Sequence, residues 1–217
     1  MIISDSKKFI FIHIYKTAGT SISDLLLPYS RFSQKLCYYY TPTKALINFS
    51  RIIFDNANIQ KYITGYNKHV RIESVLSNEP NLNNYFKFCF VRNPYLWLIS
   101  HYNYVKRNSR HFNHNSFNKM NFLDFLEFEI NNNSPRQFDF CTDTENKFMI
   151  DFVGKLENID KDISYLQEKL KLQSIGIKHL NKNKTTSETL FEKYYDDKSV
   201  KLVNKYFSID FETFGYD

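Results

Sequence analysis

The chain has 217 residues, 42% of them hydrophobic and 24% charged, a balance that excludes a disordered tail or a fibrous repeat and fits a single domain over residues 1–217. Lys and Arg number 29 against 23 Asp and Glu, and the net +6 points to an anionic ligand without naming it. Cys37, Cys89 and Cys141 are too widely spaced for a zinc motif, and too few and odd in number for a disulfide scaffold, which argues for a reducing compartment.

Residues 8–14 form an almost unbroken run of β-branched and aromatic side chains, the pattern of a strand buried on both faces. A helix is expected over 20–27, ended by Pro28. A second buried strand covers 85–91 and passes through Arg92 and Asn93 into a helix from Pro94 to about 107, with Asn93 as its cap. Another helix is expected over 122–130, a short strand over 151–156, and an amphipathic helix over 159–172 with Ile163, Leu166 and Leu170 on one face. Strands alternating with helices predict an α/β fold, a parallel sheet flanked by helices. No apolar run is long enough to cross a bilayer and no signal-peptide layout opens the chain, so a cytoplasmic protein without an integral membrane segment is expected.

The charge is segregated. Residues 1–123 carry 16 basic and 5 acidic side chains, whereas 124–217 carry 13 and 18. No carboxylate lies between Glu79 and Asp124, and Lys87, Arg92, Lys106, Arg107, Arg110 and Lys119 all do. The first part therefore looks like the builder of an anion site.

Two loops suit that chemistry. Between the first buried strand and its helix runs Tyr15-Lys-Thr-Ala-Gly-Thr-Ser21. A strand–loop–helix turn aims backbone N–H groups and a helix dipole at one point; Gly19 permits the tight backbone, Lys16 adds a charge, and Thr17, Thr20 and Ser21 add hydroxyls. It is not a Walker A motif, because Lys16 precedes the glycine. A capped turn with an exposed lysine is the plainer alternative. In the second loop Arg92 ends a strand and Ser100 lies about two turns into the next helix. An arginine fork and a hydroxyl suit a phosphate dianion, although an arginine at a strand end also serves in surface ion pairs.

Taken together, residues 11–21, residues 88–94 and Ser100 resemble the two nucleotide signatures of sulfotransferases that use 3′-phosphoadenosine 5′-phosphosulfate (PAPS), most closely the carbohydrate-type family known as sulfotransferase family 2. Asp151–Asn158, His179–Lys184, Tyr194–Asp197 and Phe214–Tyr216 extend the resemblance to the C-terminus. The resemblance implies the sulfotransferase fold and PAPS as sulfate donor, with no metal. It places Lys16 on the 5′-phosphosulfate and its bridging oxygen, and Thr17, Ala18, Gly19, Thr20 and Ser21 around the 5′-phosphate. It places Arg92 and Ser100 on the 3′-phosphate, and Lys184 and Thr185, with Lys182, in a loop over the nucleotide. The chain departs from the family at Tyr15, where a proline is usual, and at Leu96 and Trp97, where a polar or acidic residue and an arginine are common.

Transfer to a hydroxyl needs a base. His69, in the segment before the second signature, resembles the histidine that serves as base in related carbohydrate sulfotransferases; a loop histidine without a role is the plainer reading. His13 reads as a satisfied core histidine and His101 as the second candidate base. His111 and His114 lie in a basic, aromatic-rich stretch that suits a solvated face better than a metal pair. The resemblance implies a glycan or other hydroxyl acceptor, in a bacterial enzyme, with oligomeric state open. Two other classes remain: a P-loop NTP-dependent phosphotransferase, disfavoured by Arg92 where a Mg²⁺-binding Asp would stand, and a non-catalytic polyanion-binding module, disfavoured by the split charge and the lack of an RNA motif.

Overall fold

The computed structural model describes residues 1–35, 66–109, 111, 113–173 and 187–216. The strands are β1 (Ile2–Ser4), β2 (Phe9–Ile12), β3 (Phe86–Val91) and β4 (Phe152–Lys155). The α-helices are α1 (Gly19–Leu26), α2 (Ile72–Asn78), α3 (Pro94–Arg107), α4 (His114–Asn118), α5 (Phe122–Asn131), α6 (Ile159–Lys169), α7 (Ser187–Tyr194), α8 (Asp197–Tyr206) and α9 (Ser208–Phe214). The strands form one sheet in the order β1-β2-β3-β4, so the chain is a mixed α/β protein with the sheet flanked by helices.

β2 and β3 are the parallel pair that the apolar runs predict, with Phe11 opposite Phe88 and Ile12 opposite Cys89. Their carboxyl ends therefore share one edge of the sheet. β1 runs antiparallel to β2 and makes the sheet mixed. Three residues are too few to carry a period-2 signal, and β1 went unread in the sequence for that reason.

The chain divides into two compact units, Met1–Phe90 with Asp139–Leu180, and Val91–Phe138 with Asn181–Asp217. In the first, Phe9, Phe11, Phe88 and Phe90 cover one face of the sheet and pack with Ile22 and Leu26 of α1 and Ile159, Ile163 and Leu166 of α6. Ile10, Ile12 and Cys89, which alternate with those phenylalanines, are also fully buried, so both faces are covered. Cys89 and Cys141 bring their sulfurs to 3.5 Å across a separation of 52 residues. Both are free thiols, far beyond the about 2.05 Å of a disulfide. Cys37 lies outside the described residues.

The second unit is helical and built on rings. Tyr95 meets Phe191, Tyr195 and Phe211 at centroid distances of 5.0–5.1 Å. Phe122 meets Tyr194 at 5.2 Å and Tyr195 at 5.0 Å. Asn93 caps α3 as expected, its side-chain oxygen accepting the N–H groups of Tyr95 and Leu96. A capping box of Asn121 and Asp124 starts α5. No helix among the described residues is long and apolar enough to cross a membrane.

Two of the lysines in the carboxylate-free stretch serve the fold. Lys87 pairs with Asp151 at 3.0 Å, and Lys106 donates to the Tyr102 hydroxyl and the Met120 carbonyl. Arg110 lies outside the described residues.

Gly154 in β4 shows how tightly the core is closed, because a Cβ there would sit 2.5 Å from the buried Phe90 ring. Gly154→Ala is expected to cost about 1–3 kcal/mol and lower Tm by several degrees, measured by thermal denaturation; an unchanged Tm would show that the Phe90 ring can give way.

Candidate functional site

The first loop leaves β2 at Ile12 and enters α1 at Gly19. Lys16 (φ 65°) and Ala18 (φ 59°) both adopt the left-handed conformation, uncommon for residues with a Cβ. Alternation of this kind turns successive N–H groups toward one concavity, the backbone nest that binds anions. Ala18 is also the N-cap of α1, and no side chain caps that helix. The positive end of the α1 dipole thus faces the nest, and its N-cap residue supplies no side-chain oxygen to meet it. Strain of about 1–3 kcal/mol per left-handed residue is the kind stored where a ligand needs the backbone so arranged.

The hydroxyls of the loop do not all face the same task. Thr17 is fully buried and its Oγ1 donates to the Ile14 carbonyl at 2.8 Å, closing the turn from inside. What Thr17 offers to a ligand is its backbone. Thr20 is exposed and Ser21 half-buried in the first turn of α1, where the sequence reading set them.

Gly19 is explained by what lies against it. A Cβ there would fall 2.0–2.1 Å from Cδ2 and Nε2 of His13, so the imidazole packs directly on the glycine backbone. His13 is a core residue, as expected, but it is not a satisfied one: its buried Nδ1 has no hydrogen-bond partner among the described residues. Burial, reinforced by the nearby N-terminal amine and by Lys68, drives its pKa well below 6.5 and keeps it neutral.

His69 stands beside this pair. Its ring meets His13 edge-on at 4.7 Å and Tyr15 at 5.9 Å, and Tyr15 packs in turn on Phe140. The Tyr15 ring therefore takes up by lateral packing the position where a proline would stiffen the backbone. His69 Nδ1 lies 2.8 Å from the His13 carbonyl oxygen. A carbonyl only accepts, so Nδ1 carries the proton and Nε2 of the neutral ring carries the lone pair. The pKa of His69 is held below 6.5, first by desolvation among its neighbours and further by the Lys68 and Lys16 cations. The bond to the His13 carbonyl opposes that shift, and water along the exposed edge of the residue also moderates it.

Arg92 and Ser100 belong to the second unit, Arg92 directly after β3 and Ser100 in α3; both are half-buried. Arg92 donates its backbone N–H to Gln137 Oε1 at 2.9 Å, and Gln137 Nε2 donates to the Arg92 carbonyl at 2.8 Å. Trp97, where the family commonly has an arginine, is buried and meets the Phe207 ring at 6.0 Å, so that position belongs to the core. His101 is lodged against the rings of Phe117 and Phe125 and lies 3.8 Å from Glu129. Burial pushes the Glu129 carboxyl up to about 7. His111 accepts the Asn113 N–H, and the ring of His114 is bonded to the Val105 carbonyl. Among the described residues no group of three or more His, Cys, Asp or Glu side chains gathers as metal ligands would.

The first unit thus gathers Lys16, Thr17, Ala18, Gly19, Thr20, Ser21 and His69, and the second holds Arg92 and Ser100. Lys184 and Thr185, with Lys182, lie outside the described residues. Sequence reasoning missed the Gln137 bracket, which spans 45 residues with no local pattern to mark it. It also missed the role of His13 behind Gly19, whose one signal was an unusual polar residue inside an apolar strand.

Residues 1–217 match the model of the sulfotransferase family, and the chain belongs to that family, as a family 2 sulfotransferase. An uncharacterized protein of Archaeoglobus fulgidus is 33% identical over 94 residues, covering 41% of this chain and 69% of that protein. No solved structure matches the chain. The protein is accordingly a transferase of the sulfotransferase type.

The left-handed Ala18 can be tested directly. Ala18→Gly removes the Cβ penalty of that conformation and is expected to raise stability by about 1 kcal/mol, a Tm gain of two to four degrees; a lower Tm would argue against a left-handed residue there.

Proposed function

We propose that the chain, acting as one catalytic domain, moves a sulfuryl group from PAPS to a hydroxyl of a carbohydrate acceptor, with His69 as general base. The observation that supports this reading is the first loop, in which left-handed Lys16 and Ala18 lead into a helix whose N-cap supplies no side-chain oxygen, the backbone form suited to an anion. Such a form fits the 5′-phosphosulfate end of the donor. The donor supplies a sulfuryl group already activated on a phosphate leaving group.

In this reading the backbone of Thr17, Ala18 and Gly19 and the hydroxyls of Thr20 and Ser21 hold the 5′-phosphate. Lys16 neutralises the charge that develops on the leaving phosphate oxygen. Arg92 and Ser100 take the 3′-phosphate, and Lys184 and Thr185 complete the contacts to the nucleotide. The acceptor oxygen bonds to sulfur as the bond from sulfur to the bridging oxygen breaks. The hydroxyl proton passes to Nε2 of His69, whose Nδ1–H is anchored on the His13 carbonyl. Support for a carbohydrate acceptor is the closeness of both signatures to the carbohydrate-type branch.

Lys16→Ala and Arg92→Ala are each expected to weaken binding of PAP, the desulfated product, by about tenfold or more in calorimetry; unchanged affinity in both would remove the site. His69→Ala is expected to leave PAP affinity intact and to lower transfer by roughly 10²–10⁴, followed by mass spectrometry of sulfated glycans. His69 must be neutral to accept a proton and its pKa is held below 6.5. The transfer rate should therefore stay level as pH falls to 6.5 and decline only below it, as the imidazole takes up a proton. An acid limb centred above 6.5 would contradict the assignment.

A further inference from the structure

Arg92 is the first residue beyond β3, and its backbone is bracketed by one side chain. Gln137 accepts from the Arg92 N–H at 2.9 Å and donates to the Arg92 carbonyl at 2.8 Å. A carboxamide can do both at once, as a neighbouring strand would, whereas a carboxylate can only accept. Gln137 is fully buried. Its own backbone N–H is held in turn by Asp210 Oδ2 at 3.1 Å, and the Phe138 N–H by Asp210 Oδ1 at 2.8 Å.

Asp210 lies in the first turn of α9, 73 residues further along the chain, and is also fully buried. A buried carboxylate is costly unless hydrogen bonds meet it, and two of the donors that meet this one are the amides carrying the Gln137 bracket. The second unit thus places two of its most deeply buried polar side chains in a relay that ends on the backbone of one half-buried arginine.

We propose that Gln137 and Asp210 are positioning residues for Arg92. By fixing the backbone of Arg92 they fix the direction in which its side chain leaves the main chain. The side chain then reaches for the 3′-phosphate of the donor from a fixed root, so less has to be ordered on binding. This rests on the reading of Arg92 as the 3′-phosphate ligand. Discrimination between a nucleotide that carries that phosphate and one that lacks it is therefore the property the relay controls.

The test compares PAP with 5′-AMP, which lacks the 3′-phosphate, by calorimetry on the full chain. Gln137→Met keeps volume and removes both hydrogen bonds. It is expected to lower the preference for PAP over AMP by about tenfold while leaving AMP affinity unchanged. In an Arg92→Ala background the same change should lower the preference no further, because the residue it positions is gone. Asp210→Asn, which retains one acceptor, is expected to shift the same ratio by less, and serves if Gln137→Met does not fold. Equal loss of PAP and AMP binding, or a ratio that keeps falling in the Arg92→Ala background, would mean a structural role alone and overturn the inference. If Arg92→Ala itself leaves the ratio at the wild-type value, the 3′-phosphate reading fails. If Arg92→Ala lowers the ratio while neither Gln137→Met nor Asp210→Asn does, the positioning role fails and the reading of Arg92 stands.

Discussion

The contact on which the first unit turns is the seat of the His13 imidazole on the backbone of Gly19. A Cβ at Gly19 would stand 2.0 Å from the ring, so only glycine lets the start of α1 approach the end of β2 this closely. The same residue presents its carbonyl to His69, 2.8 Å away. One histidine therefore sets the entry of the helix with its ring and the tautomer of the candidate base with its backbone. Its neutrality, enforced by burial, keeps an extra cation from being trapped beneath the anion cradle.

Much of this was legible in the residues. The runs over 8–14 and 85–91 could be read as buried strands because their apolar residues are continuous, and the caps at Asn93 and Pro94 marked the start of α3 to the residue. β1 and the helices α2, α4, α7, α8 and α9 were not read. The short elements are fixed by tertiary packing, and the pattern of the C-terminal ones is obscured by rings that pair across the helical unit. The candidate site divides along the same line. Lys16, Gly19 and Arg92 stand in contiguous motifs, whereas Gln137, Asp210 and the thiol pair of Cys89 and Cys141 are joined by contacts between distant parts of the chain. The left-handed turn at Ala18 was hidden for another reason: alanine is a poor marker of positive φ, and the loop adopts it against local preference.

Of the three positions that depart from the family pattern, Tyr15 and Trp97 have physical explanations. Tyr15 has rings on either side of it, and Trp97 has moved a position that elsewhere carries charge into an aromatic core. Both substitutions fit a chain in which 18% of residues are aromatic and where ring packing organises a whole unit. The net charge of +6 is likewise sharpened by the structure. Lys87 is paired with Asp151, which offsets its charge, whereas Lys106 is anchored on the Tyr102 hydroxyl and the Met120 carbonyl and keeps its charge.

The helices that follow the two loops begin differently, and the contrast has a consequence for how such a protein can drift. Asn93 already occupies the Tyr95 and Leu96 amides of α3, whereas Ala18, the N-cap of α1, supplies no side-chain cap. In the proposed reading, anion binding at the start of α1 depends on backbone shape, which many side chains can preserve provided that Gly19 remains small. Beyond β3 the amides are taken, so in the proposed reading recognition there depends on the chemistry of the guanidinium of Arg92, which no other side chain duplicates. The first loop can accordingly vary in letters while keeping its form. The second can vary in form only at the expense of the single letter that matters.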